Sequence, residues 1–196
     1  MIYDISQEVF SCQVYPGDPA PARQKLQSIE RGDVCNLTAF SMCAHNGTHL
    51  DAPYHFLRDG KTIDQMDLSV FVGPAWVTHR TGDISAPQAR EILAAASLAG
   101  AGERLLIGGP AVISGEAARV FAGGGVLLVG NESQSVGPES APAEVHRILL
   151  RAGTALLEGI RLGRVPEGRY LLCAAPLNLG GSDGAPCRAV LISEDL

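Results

Sequence analysis

Short apolar runs of strand length recur along the whole chain, and in its second half they alternate with segments of helical periodicity. Residues 37–43, 75–78, 105–107, 126–129, 170–174 and 189–192 read as strands. Between them, Ser85 stands where a helix N-cap belongs, ahead of Ala89, Ile92, Leu93 and Ala96 on one helical face, and Gly100 marks the stop. A second helix is expected over 114–121 and a third over 142–152, the latter with Val145, Ile148, Leu149 and Ala152 as its buried stripe. No single element of this length can bury its own apolar face, so the alternation calls for stacked layers, an α/β mixed layer fold. The run Gly123-Gly124-Gly125 precedes a strand instead of opening a helix, and so reads as a turn, not a phosphate cradle.

Composition narrows the class. Hydrophobic residues make up 46 % and charged residues 18 % of the 196, which is too apolar for disorder. The 23 glycines and 12 prolines lie scattered between the apolar runs with no linker-like cluster, so a single domain over 1–196 is expected. Fifteen Lys and Arg against 21 Asp and Glu leave a net charge of -6, with no basic stripe of the kind that phosphate neutralisation requires; no nucleic acid partner is expected. The most apolar stretch, 92–102, falls far short of the roughly 20 residues that span a bilayer. Met1-Ile2-Tyr3-Asp4-Ile5 has an early acid, no basic leader and no following apolar region, unlike a secretory signal. Five cysteines, an odd number without a C-x-x-C pair, fit neither a disulfide framework nor a thiolate zinc site, so reduced thiols in the cytoplasm are expected.

The densest chemistry lies in His45-Asn46-Gly47-Thr48-His49-Leu50-Asp51-Ala52-Pro53-Tyr54-His55. Five histidines scattered at random would place about 0.3 in that window, whereas three occur with an aspartate among them, the kind of cluster that marks a metal or catalytic site. Imidazole nitrogens and a carboxylate suit Zn²⁺ or, with more oxygen, Mn²⁺, so His45, His49 and Asp51 can supply one face of an ion site. Asn46-Gly47 inside the H-x-x-x-H pair and Pro53 after it favour a turn over a helix, and the absence of Glu after His45 rules out the H-E-x-x-H protease pattern. Two other readings of the same residues stay open: a catalytic histidine supported by its neighbours without metal, and a polar structural turn.

Beyond this window, Tyr3-Asp4-Ile5-Ser6, Tyr15-Pro16-Gly17-Asp18-Pro19, the segment from His45 through Phe56 and the stretch from Pro142 onward resemble the bacterial kynurenine formamidase and putative cyclase family, which includes isatin hydrolases. The resemblance implies an α/β fold of the swivelling β/β/α type, a homodimer or higher homo-oligomer, and a metal-dependent hydrolase of a small-molecule formamide or cyclic amide. It implies His45, His49 and Asp51 as ligands of one zinc ion, with Asp51 able to bridge to a second held by His146 and Glu158; manganese is the alternative metal. The residues agree with this in one respect: Glu158 ends an apolar run, where an unpaired carboxylate is costly to bury. His55, not needed as a ligand, then becomes the acid/base that hands a proton to the departing nitrogen. Thr48 and Asn46 are candidates either for orienting ligands or for holding the loop, and His79 is left as a strand-end residue.

Three features depart from the family pattern. The segment 105–114 looks shorter than usual, which implies a different substrate size. Gly130-Asn131-Glu132 stands where many relatives have Gly, an apolar residue and Asp, and Tyr15 replaces the Trp of several formamidases. A metal-assisted cyclase or dehydratase using the same residues is therefore the first rival. A non-catalytic protein that binds metal or a small molecule is the second.

Overall fold

The computed structural model describes residues 1–138 and 140–193; positions 139 and 194–196 of the expected 1–196 domain lie outside them. The strands, in chain order, are β1 (Ile2–Asp4), β2 (Ala22–Gln27), β3 (Leu37–Ser41), β4 (His49–Asp51), β5 (Val72–His79), β6 (Gly82–Ile84) and β7 (Arg104–Gly108). They continue with β8 (Ala111–Ile113), β9 (Leu128–Asn131), β10 (Ala155–Glu158), β11 (Gly168–Cys173), β12 (Gly184–Pro186) and β13 (Val190–Ile192). Among the described residues three α-helices interrupt them: α1 (Ala86–Leu98), α2 (Gly115–Gly123) and α3 (Pro142–Arg151).

Nine strands form one mixed sheet in the order β1-β13-β11-β5-β7-β9-β10-β4-β12. Its centre, β5-β7-β9-β10, is parallel and is built by three successive β-α-β crossovers; antiparallel pairs extend it on both sides. Parallel central strands are covered on both faces, which explains why 105–107 and 155–157 read as unbroken apolar runs. Alternation along each strand then divides the core in two. Leu105, Ile107, Val129 and Leu156 pack with Phe121 and the buried faces of all three helices. Leu106, Leu128 and Leu157 face the opposite way, into a second cluster with Leu50, Val77 and Leu172. Phe121 and Leu106 are wholly inaccessible to solvent, and each such side chain contributes roughly 1.5–3 kcal/mol by burial.

The helices follow the sequence signals closely. Ser85 and Gln88 form a capping box at the start of α1, whose Ala89, Ile92 and Ala96 are buried as expected. Ser114 caps α2 by accepting from the Ala117 N–H at 3.1 Å. The face of α3 differs: Val145, His146, Leu149 and Leu150 are buried, while Ile148 is half-buried and Ala152 exposed. The stripe is turned by about one residue from the expected one, and that turn carries His146 inward.

The strand expected over 37–43 exists as β3, but it pairs only with β2 in a separate two-stranded ribbon. The polar sequence of β2, Ala-Arg-Gln-Lys-Leu-Gln, gives no apolar alternation by which to read it. No described helix is long and apolar enough to cross a membrane, and all five cysteines are free.

Candidate metal centre and active site

The site is assembled on β4, a strand of only three residues held between β10 and β12. The register sets Glu158 of β10 opposite His49, and Gly184 of β12 opposite Asp51. Because strand side chains alternate, His49 and Asp51 share one face while Leu50 enters the core on the other. His45 precedes β4 across the turn at Asn46-Gly47, where Gly47 has φ +63° and a Cβ would lie 2.8 Å from Cys12 Cβ; only glycine fits both demands. Gly184 meets a different limit, since a Cβ there would come within 2.7 Å of the His45 ring.

Around Asp51 the other four expected ligands converge. His45 Nδ1 lies 2.9 Å and His49 Nε2 3.5 Å from Asp51 Oδ1. His146 Nε2 lies 3.6 Å from Asp51 Oδ2 and 3.2 Å from Glu158 Oε1, and His49 Nε2 lies 3.4 Å from Glu158 Oε2. Asp51 is fully buried and Glu158 only 2 % exposed. Glu158 Oε1 accepts from the buried Val136 N–H at 2.7 Å, but Asp51 Oδ2 has no hydrogen-bond partner.

The imidazoles are oriented for ligation. His49 Nδ1 sits 3.0 Å from the Gly47 carbonyl and His146 Nδ1 sits 2.8 Å from the Pro142 carbonyl. A carbonyl only accepts, so in both rings the proton is on Nδ1, and Nε2 is turned toward the carboxylates. A bare nitrogen lone pair facing a carboxylate oxygen is repulsive, so a cation must lie between them: a proton, or a metal ion. Protons can play the part only through shifted ionisation. Burial pulls the His49 pKa down, yet its hydrogen bonds to Asp51 and Glu158 outweigh this and raise it to about 10. His45 and His146 are likewise raised against burial, by Asp51 and by Glu158 respectively, and Asp51 is held well below the usual carboxylate range by His45 and His49 despite burial. Ligand atoms of His45, Asp51 and His55 lie within 4.8 Å of one another, as do those of His49, Asp51 and Glu158, and His146 Nε2 reaches both carboxylates, a donor set that fits one or two divalent ions.

His55 stands at the mouth of the cluster. Its ring stacks on His45 with centroids 4.0 Å apart, and its Nδ1 lies 3.0 Å from Asp183 Oδ2. The same oxygen lies 2.9 Å from His45 Nε2. Asp183 is the one residue of this constellation that sequence reasoning missed. It sits in the turn-like Gly180-Gly181-Ser182-Asp183-Gly184, remote in sequence from the histidines, and only the pairing of β12 with β4 brings it here. Thr48 and Asn46 hold the loop: Thr48 Oγ1 donates to the Gly159 carbonyl and accepts from the Gln7 N–H, and Asn46 Oδ1 accepts from the Cys43 N–H. His79 ends β5, as expected, with Nε2 at 2.8 Å from the Val165 carbonyl.

The cluster floors a cavity of about 270 Å³ whose walls include Tyr15, Phe56, Gln134 and Pro142. Through Tyr15, Gln134 and Ser135 it adjoins a wider groove of about 670 Å³ edged by Gly109, Pro110 and Arg161. The short segment after β7 turns sharply at Gly109, and Glu132 fastens that turn by accepting from the Gly109 and Leu162 N–H groups at 2.6 and 2.7 Å.

The profile of the putative cyclase family matches residues 3–138, and the chain belongs to that family. A kynurenine formamidase of Paracidovorax citrulli is 33 % identical over 97 % of this chain and 96 % of its own. Among solved structures, one described as a potential metal-dependent hydrolase with cyclase activity is 28 % identical, with a TM-score of 0.81 over 97 % of this chain and 96 % of that one. An isatin hydrolase bound to the product analogue thioisatinate has a TM-score of 0.83 at 18 % identity, covering 97 % of this chain and 91 % of that one, and so shares the fold. The mixed sheet with helices on one face is the fold of this family. These relatives and the His/Asp/Glu cluster suggest a metal cofactor.

The Gly47 turn yields a direct test of how the site is built. Gly47→Ala is expected to cost about 1–3 kcal/mol in urea-unfolding stability, from the left-handed backbone and the contact with Cys12. Stability equal to that of the parent protein would show that the turn is not constrained in this way.

Proposed function

We propose that this protein hydrolyses a small-molecule formamide or cyclic amide in the manner of a kynurenine formamidase, converting N-formylkynurenine to kynurenine and formate. It is a hydrolase acting on carbon–nitrogen bonds other than peptide bonds, in keeping with relatives that match over nearly their whole length. The observation that carries the reading is the convergence of three imidazoles on two buried carboxylates, Asp51 and Glu158, with His55 beside them at the cavity mouth.

His45, His49 and Asp51 would hold one divalent ion, and Asp51, His146 and Glu158 a second; zinc is our first choice, manganese the next. Such an ion supplies Lewis acidity that polarises a carbonyl and lowers the pKa of water toward about 7. The chain's own groups do the rest. Tyr15 and Phe56 wall the cavity and limit access of bulk water to the carboxylates. His55, with Nδ1 committed to Asp183, has Nε2 left to exchange a proton with the substrate. In the balanced reaction water adds to the formyl carbon as His55 Nε2 takes one of its protons, and Nε2 then delivers that proton to the amine nitrogen as the carbon–nitrogen bond breaks and formate leaves.

For assembly we propose a homodimer or higher homo-oligomer formed with a second copy of the chain. In support, the β2–β3 ribbon stands outside the main sheet and exposes Leu26, Leu37 and Phe40, with Val34 in its connecting turn. The free thiols favour a reducing compartment such as the cytoplasm.

The purified protein is expected to hydrolyse N-formylkynurenine when supplied with zinc and to lose that turnover on chelation. His55→Ala should retain its zinc while turnover falls by at least about 10²-fold. Absent turnover by the zinc-loaded parent would reject this substrate, and full activity in the His55 variant would remove its acid/base role. Light scattering should return at least twice the chain mass of 20.5 kDa; a monomeric mass would contradict the assembly.

A further inference from the structure

Each imidazole of the cluster needs an acceptor on its outer nitrogen if its inner nitrogen is to face the carboxylates with a lone pair. For His49 and His146 the acceptor is a backbone carbonyl, of Gly47 and Pro142 respectively. His45 has no such carbonyl. Its outer nitrogen, Nε2, meets Asp183 Oδ2 at 2.9 Å, while its inner nitrogen, Nδ1, meets Asp51 Oδ1. His55 Nδ1 meets the same Asp183 oxygen at 3.0 Å, and the two rings stack with 28° between their planes.

We propose that Asp183 is a positioning residue for both histidines at once: one carboxylate oxygen fixes the Nε2–H form of His45, freeing Nδ1 for an ion, and the Nδ1–H form of His55, freeing Nε2 for the substrate. This rests on the hydrolase reading above, and extends it by tying ion binding and proton transfer to a single side chain. An ionised carboxylate accepts only, so once a cation lies between His45 Nδ1 and Asp51, a His45 with bare Nε2 would set a lone pair against Asp183, as would a His55 with bare Nδ1. Asp183 is well placed to impose this. The Ala52 N–H donates to its backbone carbonyl at 2.9 Å, at the point where β12 joins β4, and Ser182 Oγ donates to the Gly184 carbonyl at 2.7 Å. The loop is further tied at Gly181, whose N–H donates to Asp64 Oδ1 at 2.9 Å.

Asp183→Asn is nearly isosteric but can present an N–H where the carboxylate only accepted. Long-range proton–nitrogen NMR of the zinc-loaded parent should show His45 protonated on Nε2 and His55 on Nδ1; in the variant at least one of the two should change form. Zinc affinity, read by competition with a chelating dye, should weaken by about 10–100-fold, and kcat for N-formylkynurenine should fall by at least about tenfold with KM little changed. Asp64→Ala, which removes the acceptor of the Gly181 N–H without touching either ring, should leave both tautomers and zinc affinity as in the parent. If Asp183→Asn does not fold, Asp183→Ser is measured in its place.

Unaltered tautomers and zinc affinity in the Asp183 variant would overturn the proposal, as would equal losses in the Asp64 control, which would make the role one of loop structure alone. A parent protein without turnover would instead sink the substrate reading, and the tautomer and zinc measurements would still decide the role of Asp183.

Discussion

Two buried carboxylates hold the key to this structure. Asp51 and Glu158 lie side by side in the interior, on adjacent antiparallel strands whose register admits no other arrangement. Buried anions are stable only when paired and hydrogen-bonded; imidazoles supply the pairing here, and the Val136 N–H adds a hydrogen bond to Glu158. The turn at Gly47, the inward rotation of α3 and the docking of β12 serve that one requirement. A one-residue slip of β4 would put Leu50 among the carboxylates and both Asp51 and His49 in the apolar core, so the register is strongly enforced.

The division of labour in the fold follows from it. The parallel centre and its three helices form a conventional core, with strand residues alternating between the two apolar clusters. The antiparallel strands β4 and β12 extend one side of the sheet, and it is there that the chemistry collects. His146 is delivered by the last crossover helix and Glu158 by the strand that follows it. The parallel half of the molecule thus contributes two groups, and β4 with the turns beside β4 and β12 contributes the others.

Much of this was legible in the sequence, for identifiable reasons. The capped helix α1 announced itself through Ser85, and the central strands through unbroken apolar runs. The histidine window stood out because its residues are close in sequence. What failed to show was whatever depended on pairing at a distance. Residues 22–27 are too polar to declare a strand, and the ribbon they form with β3 lies apart from the sheet. The buried face of α3 was expected one residue away from where it lies, because the rule for apolar stripes does not count a histidine as interior. Asp183 was invisible for the same kind of reason: a single aspartate in a glycine-rich turn resembles any solvent-exposed loop until β12 is laid against β4. Within 105–114, Glu132 fastens a tight turn at Gly109 that has a groove beside it, an arrangement set by a residue remote in sequence.

The central claim is that the interior carboxylates and imidazoles are arranged for divalent metal, with protons as stand-ins when metal is withheld. Anomalous diffraction from zinc-soaked crystals, recorded on either side of the zinc absorption edge, tests this most directly. The account predicts one or two anomalous peaks within bonding distance of Asp51, ringed by His45, His49, His146 and Glu158. Crystals saturated with zinc that show no peak beside Asp51 would contradict it.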